Sequence, residues 1–168
     1  MALTAKMTVK LAATLTSVLD LNTAKDALDY EKVFSWTTGT GANQGDMLFH
    51  DQRTLSASAT EAFDLSGSLS NAFGTTQAFI RLNTIIIFAA SANTNNVNVQ
   101  RASSNGVPLF LAASDGVAIP PGGMFLFNAG DDATDIVVAA GSADILTITN
   151  SSGSTAVTYD VILLGATA

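Results

Sequence analysis

Gln77-Ala-Phe-Ile-Arg-Leu-Asn-Thr-Ile-Ile-Ile-Phe-Ala-Ala-Ser91, then Ala92-Asn-Thr-Asn-Asn96, then Val97-Asn-Val-Gln100, is the stretch whose reading decides the fold. Ile85, Ile86, Ile87 and Phe88 are β-branched or aromatic, so they lose rotamer freedom in a helix but fit a pleated surface. They predict a buried central strand. Asn93 to Asn96 supply turn chemistry, because Asn tolerates positive φ and hydrogen-bonds nearby backbone. Val97-Asn-Val-Gln100 resumes with strict alternation, so the stretch predicts a hairpin with one buried arm and one arm with a polar face. No catalytic motif lies on or beside it.

Working outward, the chain is punctuated every eight to twelve residues or so. Downstream, the sequence predicts strands at Val107–Leu111, Val117–Ile119 after the Asp115-Gly116 turn, and Met124–Phe127 after Pro120-Pro-Gly-Gly123. Further strands are expected at Asp135–Ala139, Asp144–Thr149 and Thr155–Leu164, the last alternating Val157, Tyr159, Val161 and Leu163 against Thr158, Asp160, Ile162 and Leu164. Upstream, Met47–Leu55 and Thr60–Leu65 read as strands, Val33–Trp36 as a short strand, and Thr37–Gly45 and Gly67–Gly74 as loops. Residues Thr23–Val33 offer only Ala27, Leu28 and Tyr30 as apolar contacts, so one helical turn or a loop is expected there. About ten short strands without a convincing helix predict an all-β, antiparallel β-sandwich of jelly-roll type with an extended N-terminal arm. The expected division is 1–30 for arm and linker and 31–168 for the sandwich.

The 168 residues are enough for one domain with a sizeable core, and the absence of cysteine excludes disulfides and thiolate metal sites. A net charge of −7 with scattered Lys and Arg repels phosphate backbones, which argues against a nucleic-acid partner. Mean hydropathy is positive at +0.35. No apolar run reaches the roughly 20 residues of a spanning helix, and Lys6 and Lys10 interrupt what would be the apolar core of a signal peptide, so neither a membrane partner nor export is expected. Low charge with abundant Ala, Thr, Ser, Asn and Gly suits surfaces that end against neighbouring subunits.

Few residues offer chemistry. Gly39-Thr-Gly41-Ala-Asn-Gln-Gly45 has the wrong glycine spacing for a dinucleotide fingerprint and no following helix, so it reads as a loop. His50, beside Asp51, is the single histidine, and no nucleophile elbow accompanies it. Asp131, Asp132 and Asp135 cluster beside Gly130 as weak candidates for a hard cation, although their spacing is not that of a calcium loop; a solvated turn is the simpler reading. Glu31 and Glu61 are the only glutamates and lie too far apart in sequence to argue a glycosidase pair. No enzyme activity and no cofactor are expected. Trp36 is more often core than a sugar-stacking platform, though one exposed Trp would serve as such a platform.

Phe34-Ser-Trp-Thr-Thr-Gly-Thr-Gly-Ala-Asn-Gln44, Leu48-Phe-His-Asp-Gln-Arg-Thr-Leu55, Glu61-Ala-Phe-Asp-Leu-Ser-Gly67, Asn93-Thr-Asn-Asn96, Ile119-Pro-Pro-Gly-Gly-Met-Phe-Leu126 and Val157-Thr-Tyr-Asp-Val-Ile-Leu-Leu-Gly165 together resemble small virion structural proteins of tailed bacteriophages. Among these the chain is most similar to capsid decoration, or cement, proteins. The resemblance implies a β-rich protein, often trimeric, made in the host cytoplasm and bound to the capsid surface through the major capsid protein. A glycan- or host-binding fibre module using Trp36, or a neck or tail component, is the alternative. For the arm, Val9, Leu11 and Leu15 supply an apolar edge and Lys6 and Lys10 its positive charge. Those five residues and Trp36 form the expected interface, with the arm either an ordinary first strand of the sandwich or adding as a strand to a neighbouring subunit or to the capsid protein.

Overall fold

The computed structural model describes residues 2–130 and 136–167. No helix occurs among them, and fourteen strands follow in chain order. They are β1 (Thr4–Val18), β2 (Thr23–Thr38), β3 (Gln44–Gly45), β4 (Met47–Leu55), β5 (Thr60–Asp64), β6 (Leu69–Ser70), β7 (Thr76–Gln77), β8 (Arg81–Ala89), β9 (Val97–Arg101), β10 (Gly116–Ile119), β11 (Met124–Asn128), β12 (Ile136–Val137), β13 (Ile145–Asn150) and β14 (Val157–Ala166). Period-two alternation decides which face each strand buries. On β14 Val157, Tyr159, Val161 and Leu163 are fully buried, on β8 Ile85 and Ile87, and on β13 Leu146 and Ile148.

These inward rows belong to two antiparallel sheets packed as a sandwich. One runs β11-β8-β14-β4, with the short β12 also on β8; the other runs β10-β9-β13-β5. The pairings are nested: β9 with β10, β8 with β11, β5 with β13, β4 with β14. The strand segment therefore behaves as one long hairpin rolled over itself, and every nested pair is antiparallel. Strand β14 is central, flanked by β8 and β4. Its register slips between Leu164 and Gly165, where the chain passes so close to β8 that a Cβ on Gly165 would lie 2.2 Å from the Arg81 carbonyl oxygen. Only glycine fits there.

One end of the sandwich is sewn by side-chain hydrogen bonds added to backbone ones such as Ala90 N–H to the Thr158 carbonyl and Ser58 N–H to the Ser152 carbonyl. Asn93 donates to the Thr158 carbonyl and accepts from the Thr158 N–H, both at 2.8 Å, and buried Asn150 donates to the carbonyls of Ser56 and Thr155. Between the sheets, Arg53 on β4 reaches Glu61 on β5 at 2.9 Å, Tyr159 on β14 donates to Glu61 at 2.7 Å, and the Arg53 guanidinium lies over the Phe63 ring.

Several expectations are corrected. Strands β8 and β9 are not a hairpin: the chain arches across at 90–96 and the two strands lie in opposite sheets, β8 held by β11 and β14 and β9 by β10 and β13. The Asn cluster keeps φ negative and works through its side chains. Val107–Leu111 is no strand, because Pro108 lacks an N–H and Leu109 turns back onto the Val107 carbonyl at 2.7 Å. Thr23–Val33 is neither helix nor loop but most of β2, and Val33–Trp36 is the end of that same strand. The arm is not a lone strand, since β1 pairs with β2 along its whole length.

Candidate functional site

Strands β1 and β2 form a two-stranded ribbon registered from Thr4↔Thr37 to Val18↔Thr23. At about 3.4 Å per residue it extends roughly 50 Å. Directly paired residues share a face, so the register sorts the side chains. One face carries Ala5–Trp36, Met7–Phe34, Val9–Lys32, Leu11–Tyr30, Ala13–Leu28, Leu15–Asp26 and Ser17–Ala24. The other carries Thr8–Val33, Lys10–Glu31, Ala12–Asp29, Thr14–Ala27 and Thr16–Lys25. The ribbon is amphipathic, with its polar face stitched by Lys10, which lies 3.2 Å from Asp29 and 3.7 Å from Glu31. Those exposed ion pairs orient side chains but stabilise little.

Among the described residues, the apolar face is left exposed beyond its root. Trp36 is 2% exposed and stacks on Phe34 at 6.3 Å between ring centroids, but farther out Leu11 is 57%, Tyr30 56% and Leu15 74% exposed. An isolated two-stranded ribbon is marginal in water, and contiguous exposed apolar surface marks an interaction site.

The root, by contrast, is built to hold the ribbon at one angle. Strand β2 continues in parallel pairing with β3 through Thr37↔Gln44 and Thr38↔Gly45, and the Thr38 hydroxyl bridges the backbone of Leu3. Buried Arg81 on β8 donates to the carbonyls of Thr40 and Gly41 at 2.5 and 3.0 Å. Gln44 Oε1 accepts from the Gly41 N–H at 2.9 Å, and a Cβ on Gly39, whose φ is +144°, would collide with that same side chain. The glycine-rich loop is thus a latch between ribbon and sandwich. Asp46 adds bonds to the backbone and hydroxyl of Thr167.

A second exposed apolar area lies on the outer face of the β11-β8-β14-β4 sheet. There Leu48, Ile162, Phe88 and Met124 are exposed, the last two 46% and 53%. The outer face of the opposite sheet is polar instead, with Thr60 and Thr149 hydrogen-bonded at 3.0 Å and Asn98 and Gln100 beside them.

Of the interface residues expected from sequence, the ribbon gathers Val9, Leu11 and Leu15 on the apolar face and turns Lys6 and Lys10 to the polar one. Lys10 is already engaged within the ribbon. Trp36 is not an exposed platform: it is buried at the root, so sugar stacking on it is excluded in this fold. What sequence reading missed was the contribution of β2, whose even positions from Ala24 through Leu28, Tyr30 and Phe34 to Trp36 alternate with Lys25, Asp29, Glu31 and Ser35. His50 is exposed in the middle of β4, beside a groove of about 650 Å³ lined by Gln52, Asn71 and Asp160. Asp131, Asp132 and Asp135 lie outside the described residues. Among the described residues no group of three His, Cys, Asp or Glu is placed to hold a metal ion. No helix there is long and apolar enough to cross a membrane.

Among the described residues, the Tyr159–Glu61–Arg53 cluster, with Tyr159 buried and its partners half-buried, is the place where ionisation is strongly perturbed. Burial, then the hydrogen bond to Glu61 and its negative charge, push the Tyr159 phenol well above its ordinary value of 10.0. Tyr159 has no solvent access, so the cluster ties sheets together rather than presenting chemistry.

Comparison with known proteins gives no match: no family model, no curated protein and no solved structure is similar to the chain.

Proposed function

We propose that this chain is a bacteriophage capsid decoration protein, which binds the capsid lattice as a homo-oligomer and stabilises it without catalysis. The observation that carries the reading is the latched, amphipathic ribbon whose apolar face is exposed among the described residues. A protein that keeps a long apolar strip exposed at a fixed angle is built to meet another surface. The nested strand pairing is the winding we read as a jelly roll. The resemblance of the strand and turn segments to phage decoration proteins supplies the virion context, and the major capsid protein is the partner it implies.

The test is to add the protein to purified expanded capsids and follow the temperature at which they rupture. A ligand that binds only the assembled lattice raises that temperature by mass action. Cryo-electron microscopy should show added density on the outer capsid surface. Binding to purified tails and not to capsids would move the protein to the neck or tail, and no binding to either would sink the virion reading.

A further inference from the structure

We propose that the apolar face of the ribbon is covered by the same face of a second copy of this chain, stacked antiparallel about a twofold axis. This rests on reading the ribbon as an assembly element, but it is tested in solution without capsids, so it can fail while capsid binding stands.

The apolar face carries charge at two positions. Among its paired rows from Ala5–Trp36 to Ser17–Ala24 it carries one positive charge, Lys32 opposite Val9, and one negative charge, Asp26 opposite Leu15. Both lie on β2, and the rows Leu11–Tyr30 and Ala13–Leu28 separate them. Place a twofold axis across the strands midway between those two central rows. Each β2 then stacks over the partner's β2, and each Lys32 comes over the partner's Asp26, giving two symmetric ion pairs in one isologous contact.

Side-chain size follows the same symmetry in three of the facing pairs. The operation sets Met7 over the partner's Ser17, Phe34 over the partner's Ala24 and Leu11 over the partner's Ala13. Large residues face small ones at those three positions, while Val9 meets the partner's Leu15 and Tyr30 the partner's Leu28, so the two faces meet as apolar layers at a separation of about 10 Å. A parallel arrangement, including a threefold bundle with ribbons side by side along its axis, would gather Lys32 with Lys32 and Asp26 with Asp26. Like charges at one level are destabilising, so the charge pattern selects a dimer over the trimer expected from the resemblance.

Sedimentation velocity on the full chain at about 1–100 μM, in low salt, reads the prediction directly, with circular dichroism to confirm that each variant is folded. Wild type should sediment as a dimer. K32D alone or D26K alone should weaken dimerisation at least about tenfold, because each places like charges over one another. The double variant K32D/D26K restores both pairs with reversed sign and should return the dissociation constant to within about threefold of wild type. Lys6→Asp, on the opposite face, should leave it unchanged. A monomer throughout, a trimer, or a dimer indifferent to the single swaps would overturn the proposal; in that last case loss of the dimer on changing Phe88 and Met124 to Ser would assign it to the outer sheet face instead.

Discussion

Tyr159 shows how a side chain can look functional and be structural. Its hydroxyl donates to Glu61, which Arg53 also holds, so a strand from each sheet is tied at a half-buried point. Tyr159→Phe leaves Glu61 with one donor fewer and should cost about 1–3 kcal/mol, read from urea midpoints. The pH dependence follows from the raised phenol. The folded chain holds that proton more tightly than the unfolded chain, so the contribution is fully present below pH 10 and is lost as pH rises from the unfolded value through the folded one. Wild-type stability should therefore fall steeply above pH 10, and the Phe variant should fall less steeply. Equal slopes would show that another group governs alkaline unfolding.

At the level of elements, the ribbon and the sandwich are separable in energy although joined by a stiff latch. Beyond the Val9–Lys32 row the ribbon's Leu11, Leu15, Leu28 and Tyr30 are exposed, so replacing Lys10–Glu31 with Asn-Gly, a two-residue turn that suits the strand twist, should leave the sandwich intact. Its melting temperature should stay within about 4 °C of wild type, the shift that roughly 1 kcal/mol produces in a domain of this size, while self-association is lost. A collapse of the melting transition would make the ribbon part of the core. This separability also explains what could be read from sequence. Strands β13 and β14 were legible because inward Val, Ile, Leu and Tyr alternate locally, and β4 less so, because Asp51 and Arg53 interrupt its row of Met47, Phe49 and Leu55. The partner of β8 was not, because the choice between a hairpin with β9 and an arch depends on β11 and β14, which lie far along the chain. The site was half legible: Val9, Leu11 and Leu15 alternate visibly, but an apolar face becomes one only when β1 is registered against β2. Trp36 was open between core and platform because burial at a root depends on Phe34 and the latch around it.

The whole molecule pairs its most distant strands side by side. Met47 is registered with Gly165 at the outermost level of the nested winding, whereas β9 and β10 form its innermost level. Closing such separations must be met in chain entropy before the contacts return anything, which makes non-local β folds slow. Refolding from urea should therefore take milliseconds to seconds. Trp36, the only tryptophan, reports it through its burial at the ribbon root. Microsecond recovery of its fluorescence would mean that the root forms independently of the nested winding.

The winding also gives the molecule a front and a back, with a practical consequence for genetic display. The segments 56–59, 90–96, 120–123 and 151–156 all lie at the end away from the ribbon, whereas 65–80 and 102–115, together with Thr167, which is bonded to Asp46, lie at the end where the ribbon is rooted. A foreign epitope placed beside Thr167 would crowd the latch. Spliced into Pro120-Pro-Gly-Gly123, it would be carried on the opposite pole, clear of the ribbon face proposed to join the copies.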